Sequence, residues 1–174
     1  SLDTEEKVVA FFEKTFPDAL ANMPTLTKDF FENPTSTLVT IRCNPWNFDN
    51  KVLLLGDASH AVVPFYGQGL NAGMEDCTIF FDLLDKYNLE DGSLFDLFSE
   101  KRVDDGNAIA DLVLYNYIEM RDLAGDEDFL LRKKTERKFS DMYPNKWMPL
   151  YSQVTFSHIP YSEALAAGNK QRKL

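Results

Sequence analysis

The spacing of apolar residues predicts a chain that is mostly helical. In six segments the apolar residues recur every three or four positions, as they do on the buried face of a helix. The predicted helices cover residues 3–16, 26–31, 68–87, 94–121, 127–142 and 162–171. In 127–142 the acidic residues come early and basic residues come late, which suits the helix dipole.

Two short segments are predicted to be strands. Residues 36–42 alternate apolar residues with hydroxyl-bearing ones, and residues 51–55 contain three consecutive leucines. The first pattern is typical of a half-buried strand, and the second of a strand buried on both faces. Because two strands do not make a self-sufficient sheet, we expect them to join a sheet supplied by another segment of a longer protein. The alternative is an all-α domain with a small β ribbon.

Composition limits the classes of protein that need to be considered. The 174 residues, 44% hydrophobic and 26% charged, suffice for a globular domain with a sizeable core. A nucleic-acid partner is not expected, because the net charge is −10 and phosphate binding requires clustered Lys and Arg. The two cysteines, Cys43 and Cys77, form neither a metal motif nor a disulfide framework, so we expect a reducing compartment and no metal.

No membrane span and no signal peptide are predicted from the sequence. No uncharged run approaches the roughly 18 residues that a spanning helix needs. The first six residues are acidic, whereas a signal peptide begins with basic residues. The first residue is Ser1 rather than Met, so we expect the chain to be part of a longer protein.

The most specific signal lies between residues 51 and 76. The second predicted strand ends at Gly56 and Asp57, a proline loop follows, and Gly67 and Gly69 flank Gln68 where a helix begins. The unpaired N–H groups of a helix start suit an anion or an electron-rich ring edge. A carboxylate at a strand end can hold hydroxyl groups. A flat, polar cofactor that carries hydroxyls would account for both features.

Two other interpretations of this stretch agree less well with the sequence. The glycines at 67, 69 and 73 are spaced one residue too widely for the pyrophosphate-binding fingerprint G-x-G-x-x-G. Asp57 and His60 could be a metal pair, or His60 a general base, but the chain has only two histidines and no further ligand set. We interpret His60 as a structural hydrogen-bond donor.

Residues 56–60, 64–73 and 75–76 together resemble the second flavin motif of the single-component FAD-dependent aromatic-ring hydroxylases. The resemblance implies that Asp57 binds the ribityl chain of FAD and that the helix start lies against the isoalloxazine ring. It implies NADPH as the co-substrate. The implied cofactor-binding residues are Asp57, Pro64, Gly67, Gln68, Gly69, Leu70 and Asn71.

Three downstream segments, 115–121, 131–134 and 143–156, are similar to the members of this family that hydroxylate L-kynurenine. The substrate-binding residues that this similarity implies are Phe65, Asn116, Glu119, Met120 and Tyr151. Phe65 would position the substrate near the flavin, while Asn116 and Tyr151 would hold its amino-acid end. Asn116 and Glu119 are three positions apart and so lie on one helix face, although such residues are also ordinary polar helix positions. No side chain is expected to be catalytic, since the cofactor supplies the reactivity.

The resemblance also implies an organisation for the chain. It would be the C-terminal part of a two-domain FAD-binding fold of the mixed α/β class, mostly helical, with strands that complete a sheet from the N-terminal part. Residues 1–50 would end the substrate domain, 51–90 would form the flavin motif, and 91–174 would close the substrate pocket. The expected partners are L-kynurenine and the N-terminal part of the same enzyme.

Eukaryotic family members imply the cytosolic face of the mitochondrial outer membrane, reached through an anchor outside this chain. Two alternatives remain open: a flavoprotein hydroxylase of a phenol or a salicylate, and a non-enzymatic helical interaction module.

Overall fold

A computed structural model describes residues 1–87 and 93–172 of the chain. It divides into two compact units, residues 1–38 and residues 39–174, which are described separately. Helices dominate both units, so the prediction of a mostly helical chain is confirmed.

The first unit consists of short helices. They are α1 (Glu5–Thr15), α2 (Pro17–Leu20) and α3 (Leu26–Glu32). The Thr4 hydroxyl caps α1 by accepting the N–H of Lys7 at 3.4 Å. The helices predicted over 3–16 and 26–31 are therefore confirmed, while the four-residue α2 is too short for its apolar spacing to be recognised.

The second unit begins with a small antiparallel ribbon. Strand β1 (Asn47–Phe48) pairs with β2 (Val52–Leu53), with Asn47 opposite Leu53. The strand predicted at 36–42 is wrong, because these residues form no ladder with any residue that the structure describes. Within this segment Ile41 donates its N–H to the Ala61 carbonyl at 2.8 Å. Burial of 51–55 on both faces is also wrong, since Val52 is 50% exposed. The side-chain pattern indicates which faces of a strand could be buried, but a ladder and burial also require a partner segment. Among the described residues, the only partner for β2 is β1.

Helices and helical turns make up most of the second unit. Their bounds are α4 (Asp57–His60), a 3₁₀ turn (Pro64–Tyr66), α5 (Gly69–Leu84), α6 (Leu94–Ile118), a π-helical segment (Glu119–Leu123), α7 (Glu127–Met142), α8 (Leu150–Phe156) and α9 (Tyr161–Gln171). The predicted helices in this unit are confirmed, α7 with the same bounds. Helix α8 was not predicted, because its seven residues lie in an aromatic stretch without a clear helical period.

Two apolar clusters form the core of the second unit. The first joins the 3₁₀ turn to α6, α8 and α9 through Tyr66, Ile109 and Val154. The second surrounds Trp46, which is 2% exposed and packs against Phe98. Both clusters include residues of α6, so this helix is the element around which the loop bearing the flavin-like motif is packed.

Helix α5 also carries an apolar surface that no described residue of the second unit covers. Leu70, Met74 and Phe81 are 73%, 61% and 64% exposed, and they lie four and seven positions apart along one side of the helix. Within the described ranges 1–87 and 93–172, no helix combines the length and the hydropathy that a bilayer crossing demands.

Candidate functional site

The turn that carries Asp57 is fixed by a contact between two glycines. Gly56 has φ +56, a conformation that favours glycine, and immediately precedes α4. It lies against α5, where a Cβ added to Gly73 would be 3.5 Å from the Gly56 Cα. Asp57 is thereby held at the surface, exposed, and its carboxylate has no hydrogen bond or ion pair with the described part of the chain.

The start of α5 presents hydrogen-bond donors to an open surface. The first helical bond runs from Ala72 to the Gln68 carbonyl, so the N–H groups of Gly69, Leu70 and Asn71 have no partner within the helix. Gly67 has φ +66, and a Cβ built on it would meet nothing within 4 Å. A ligand could therefore approach this backbone closely.

The side chain of Gln68 is oriented by its neighbours. Its Oε1 accepts the Tyr161 hydroxyl at 3.3 Å and the Asn71 amide at 3.0 Å. Burial raises the pKa of Tyr161 to about 12, so this hydroxyl is protonated at neutral pH and acts as a donor. Gln68 is 4% exposed, and with Oε1 occupied its amide nitrogen remains as the hydrogen-bond donor of this side chain.

These groups fit the cofactor that the sequence implies. Hydroxyls of a ribityl chain could donate to the free Asp57 carboxylate, and an electron-rich ring edge could accept from the donors at the α5 start. The predicted cofactor-binding residues fall on three neighbouring segments of the chain: Asp57 begins α4, Pro64 begins the 3₁₀ turn, and residues 67–71 lie at the start of α5. No cluster of three or more metal-ligating side chains occurs among the residues described, and His60 is engaged with Asp76.

Behind this surface lies a buried ionic cluster. Asp76 is fully buried and accepts hydrogen bonds from His60 at 2.6 Å and from Arg102 at 2.7 Å. Burial by itself would raise the pKa of the Asp76 carboxyl, but the hydrogen bonds from His60 and Arg102 outweigh it, and the pKa lies below its usual value. Asp76 is consequently ionised at neutral pH. No sequence pattern predicted this cluster, because Asp76 is 16 positions from His60 and 26 positions from Arg102.

A second feature is a cavity of about 230 Å³ beside α6. Three of the five predicted substrate residues, Asn116, Glu119 and Tyr151, line it together. The other lining residues are Tyr66, Leu112, Tyr115, Lys133 and Leu150. The rings of Tyr66 and Tyr151 stack 5.4 Å apart at 17°, which forms an aromatic wall.

The remaining two predicted substrate residues, Phe65 and Met120, do not line this cavity. Both contact Asn116, whose amide nitrogen donates to the Phe65 carbonyl at 2.6 Å and lies 3.5 Å from the Met120 sulfur. The Phe65 ring packs on Tyr117 at 4.4 Å. Asn116 therefore connects the loop with the flavin-like motif to the wall of the cavity.

The cavity also contains an ion pair that sequence reasoning missed. Lys133 of α7 lies 3.3 Å from Glu119 and 3.8 Å from Glu136. Glu119 opens the π-helical segment, a widened turn of a kind that is frequent at functional sites. Lys133 is on a different helix from Glu119, and no spacing in the sequence could have indicated the contact. Burial, together with Glu119 and Tyr151, raises the pKa of Tyr66 far above its usual value.

Comparison with known proteins gives the family. Residues 5–112 match the family described as FAD binding domain. The chain belongs to this FAD binding domain family. The match covers more than half of the chain and includes the Asp57 turn and the α5 start.

Three curated relatives of this chain share the name kynurenine 3-monooxygenase. The Flavobacterium psychrophilum protein is 51% identical over 174 residues, which is 100% of this chain and 39% of that protein. The Anopheles gambiae protein is 46% identical over 100% of this chain and 36% of its own length. The Sus scrofa protein is 42% identical over 98% of this chain and 37% of its own length. The resemblance predicted from the sequence is confirmed, and the chain spans less than two fifths of these relatives' length.

Proposed function

We propose that this chain supplies part of the FAD site and part of the substrate pocket of a monooxygenase that hydroxylates L-kynurenine to 3-hydroxykynurenine with NADPH and O2. The observation that carries the proposal is the hydrogen bond from Asn116 to the Phe65 carbonyl, 2.6 Å long. It joins the flavin-like loop to the cavity that Asn116, Glu119 and Tyr151 line. The names of the relatives support the choice of substrate.

On the cofactor side, Asp57 would accept ribityl hydroxyls, and Gly67, Gln68, Gly69, Leu70 and Asn71 would line the ring edge with backbone and amide donors. Pro64 would fix the preceding turn. The hydroxylating chemistry comes from bound FAD, reduced by NADPH and reacting with O2. No side chain of this chain is proposed to be catalytic; its residues bind, orient and exclude water.

On the substrate side, the cavity matches an aromatic amino acid. It offers an aromatic wall from Tyr66 and Tyr151, a carboxylate from Glu119, an ammonium from Lys133 and the amide of Asn116. The opposite charges of Glu119 and Lys133 complement the ammonium and carboxylate of an amino-acid substrate. Phe65 and Met120 would shape the side of the pocket nearer the flavin.

The rest of the flavin site would come from the part of the protein that this chain does not include. The exposed apolar side of α5, with Leu70, Met74 and Phe81, is a surface that the remaining part would cover. The functional roles of segments 1–50, 51–90 and 91–174 stay predictions, as does a mitochondrial outer-membrane location.

The test uses the full-length protein, meaning a polypeptide of the relatives' length that contains this chain. We expect Tyr151→Phe to leave FAD bound and to raise KM for kynurenine roughly tenfold, the equivalent of about 1.4 kcal/mol, because a hydroxyl remote from the reacting carbon is lost. NADPH oxidation, 3-hydroxykynurenine and H2O2 should be followed together, since a poorly held ring wastes reducing equivalents.

Tyr143→Phe is the matched control. Tyr143 is a partly exposed tyrosine that packs on Phe139 and does not line the cavity. Its KM and coupling should equal those of the wild type. A wild-type protein that binds FAD but turns over phenols or salicylates instead of kynurenine would refute the substrate assignment, and a protein that binds no FAD would refute the whole proposal.

A further inference from the structure

We infer that Asp76 and His60 are positioning residues for the FAD-binding carboxylate Asp57, through a single buried oxygen atom that holds both ends of the Asp57 turn. The inference rests on the proposed FAD site and adds residues to it that do not touch the cofactor.

The geometry at Asp76 Oδ2 carries the inference. This oxygen accepts the backbone N–H of Gly56 at 3.0 Å, immediately before Asp57. The same oxygen is 2.6 Å from Nε2 of His60, the last residue of α4. Helix α4 has only four residues, so both ends of the turn that carries Asp57 are attached to one atom.

The direction of these bonds follows from charge. An ionised carboxylate only accepts hydrogen bonds, so Nε2 of His60 carries the proton. Within the described ranges, Nδ1 of His60 is a buried nitrogen without a hydrogen-bond partner. The ring therefore makes its hydrogen bond to Asp76 alone, and it packs 5.0 Å from the ring of Trp46.

The second oxygen of Asp76 is anchored to helix α6. Oδ1 accepts Nε of Arg102 at 2.7 Å, and Arg102 also donates to Glu75 at 2.8 Å and Asp105 at 3.1 Å. Asp105 in turn accepts the N–H of Ser162 at 2.9 Å. Asp76 is 0% exposed and Arg102 2%. A carboxylate held in this way can fix the Asp57 turn without moving itself.

If Asp76 and His60 only stabilised the fold, their replacement would affect FAD affinity in a different way. The residues at the start of this turn, Asp57 and Ala58, are exposed, whereas Ser59 and His60 are buried against the rest of the unit. If the cluster only stabilised the fold, its loss would lower the unfolding temperature of the apoprotein and reduce FAD affinity independently of Asp57. If it positions Asp57, its effect on FAD affinity depends on Asp57 being present.

A double-mutant cycle in the full-length apoprotein separates these cases. His60→Phe removes the donor and leaves the Asp76–Arg102 bridge in place, whereas His60→Gln retains an N–H donor. The dissociation constant for FAD is measured by fluorescence titration, and the unfolding temperature of the apoprotein by differential scanning fluorimetry. We expect His60→Phe to weaken FAD binding roughly tenfold, as for one charge-assisted hydrogen bond, and His60→Gln to recover most of that loss. In an Asp57→Ala background, His60→Phe should change the dissociation constant less than about twofold.

Ser99→Ala is the control for general destabilisation. Ser99 is 4% exposed, and its Oγ accepts the N–H of Trp46 at 2.9 Å. It therefore supports the tryptophan that packs on His60 and makes no hydrogen bond to Gly56, Asp57 or His60. It should lower the unfolding temperature and leave FAD affinity unchanged. Two results would overturn the inference and leave the proposed function intact. The first is that the losses of FAD affinity in Asp57→Ala and His60→Phe multiply in the double variant. The second is that Ser99→Ala loses as much FAD affinity as His60→Phe. A wild-type protein that binds no FAD would overturn both.

Discussion

Replacing Gly106 by alanine tests whether the packing around the Asp57 turn is as tight as the structure indicates. A Cβ on Gly106 would lie 2.5 Å and 2.8 Å from two ring carbons of Trp46 and 3.2 Å from the Cβ of His60. Trp46 is 2% exposed, and its rigid ring packs against His60 at 5.0 Å and Phe98 at 6.1 Å, so it yields less easily than a flexible side chain would.

The expected magnitude follows from two opposing effects. Alanine is favoured over glycine by about 1 kcal/mol in a helix interior. Overpacking a dense core costs about 1–3 kcal/mol, and a rigid indole places Gly106 at the upper end of that range. We therefore expect Gly106→Ala to lower the free energy of unfolding by about 1–2 kcal/mol.

Two other glycines provide a graded comparison. A Cβ on Gly168 would meet the Cδ atoms of Leu150 at 2.5 Å and 2.9 Å, but these are the ends of a flexible side chain, so the loss should be smaller. A Cβ on Gly125 would meet nothing within 4 Å, so alanine there should be neutral or slightly stabilising. The assay is urea unfolding of the full-length apoprotein, followed by near-ultraviolet circular dichroism. Equal stabilities for the Gly106 and Gly125 variants would refute the reasoning.

Two further predictions concern the acid limit and the isolated chain. In the folded protein the pKa of Asp76 is lowered from its ordinary value of 3.8. The ionised carboxylate therefore contributes its full stability above the pKa of the unfolded state, and this contribution is lost as the pH falls through the pKa of the folded state. Asp76→Asn should lower the free energy of unfolding at neutral pH and should make it fall less steeply below about pH 4, as measured by urea unfolding at a series of pH values. A pH dependence below about pH 4 that equals that of the wild type would contradict this prediction. Residues 1–174 expressed alone should be insoluble or colourless, because the two-stranded ribbon and the exposed side of α5 lack a partner. A soluble, yellow, cooperatively melting product would count against a shared flavin site.

Local patterns predicted most of the helices, for identifiable reasons. In α7 the apolar period, the early acidic residues and Asp126 as its N-cap agree with one another, and the predicted and observed bounds coincide. The segment that resembles the flavin motif was also predictable, since its glycines and Asp57 lie within one short stretch, residues 56–73. Positive φ at Gly56 and Gly67 explains why glycine is required at those two positions.

Contacts distant in sequence could not be predicted. The strand expected at 36–42 failed because alternation of side chains does not supply a partner. The ion pair between Lys133 and Glu119, and the bonds of Asp76 to His60 and Arg102, join different helices whose packing no spacing rule specifies. Asn116 was predicted as a substrate residue, but its hydrogen bond to the Phe65 carbonyl became apparent only in the folded chain.

The most direct test of the central claim is the FAD affinity of the full-length protein with and without the Asp57 carboxylate. Asp104 provides the control, because it is another exposed aspartate without a hydrogen bond or ion pair to the described residues. Apoprotein is titrated with FAD and the quenching of flavin fluorescence is recorded. The account predicts that Asp57→Ala weakens binding by about 1–3 kcal/mol, the value of a charged hydrogen bond, while Asp104→Ala binds like the wild type. Equal affinity in all three proteins would contradict the assignment of this chain to the flavin site.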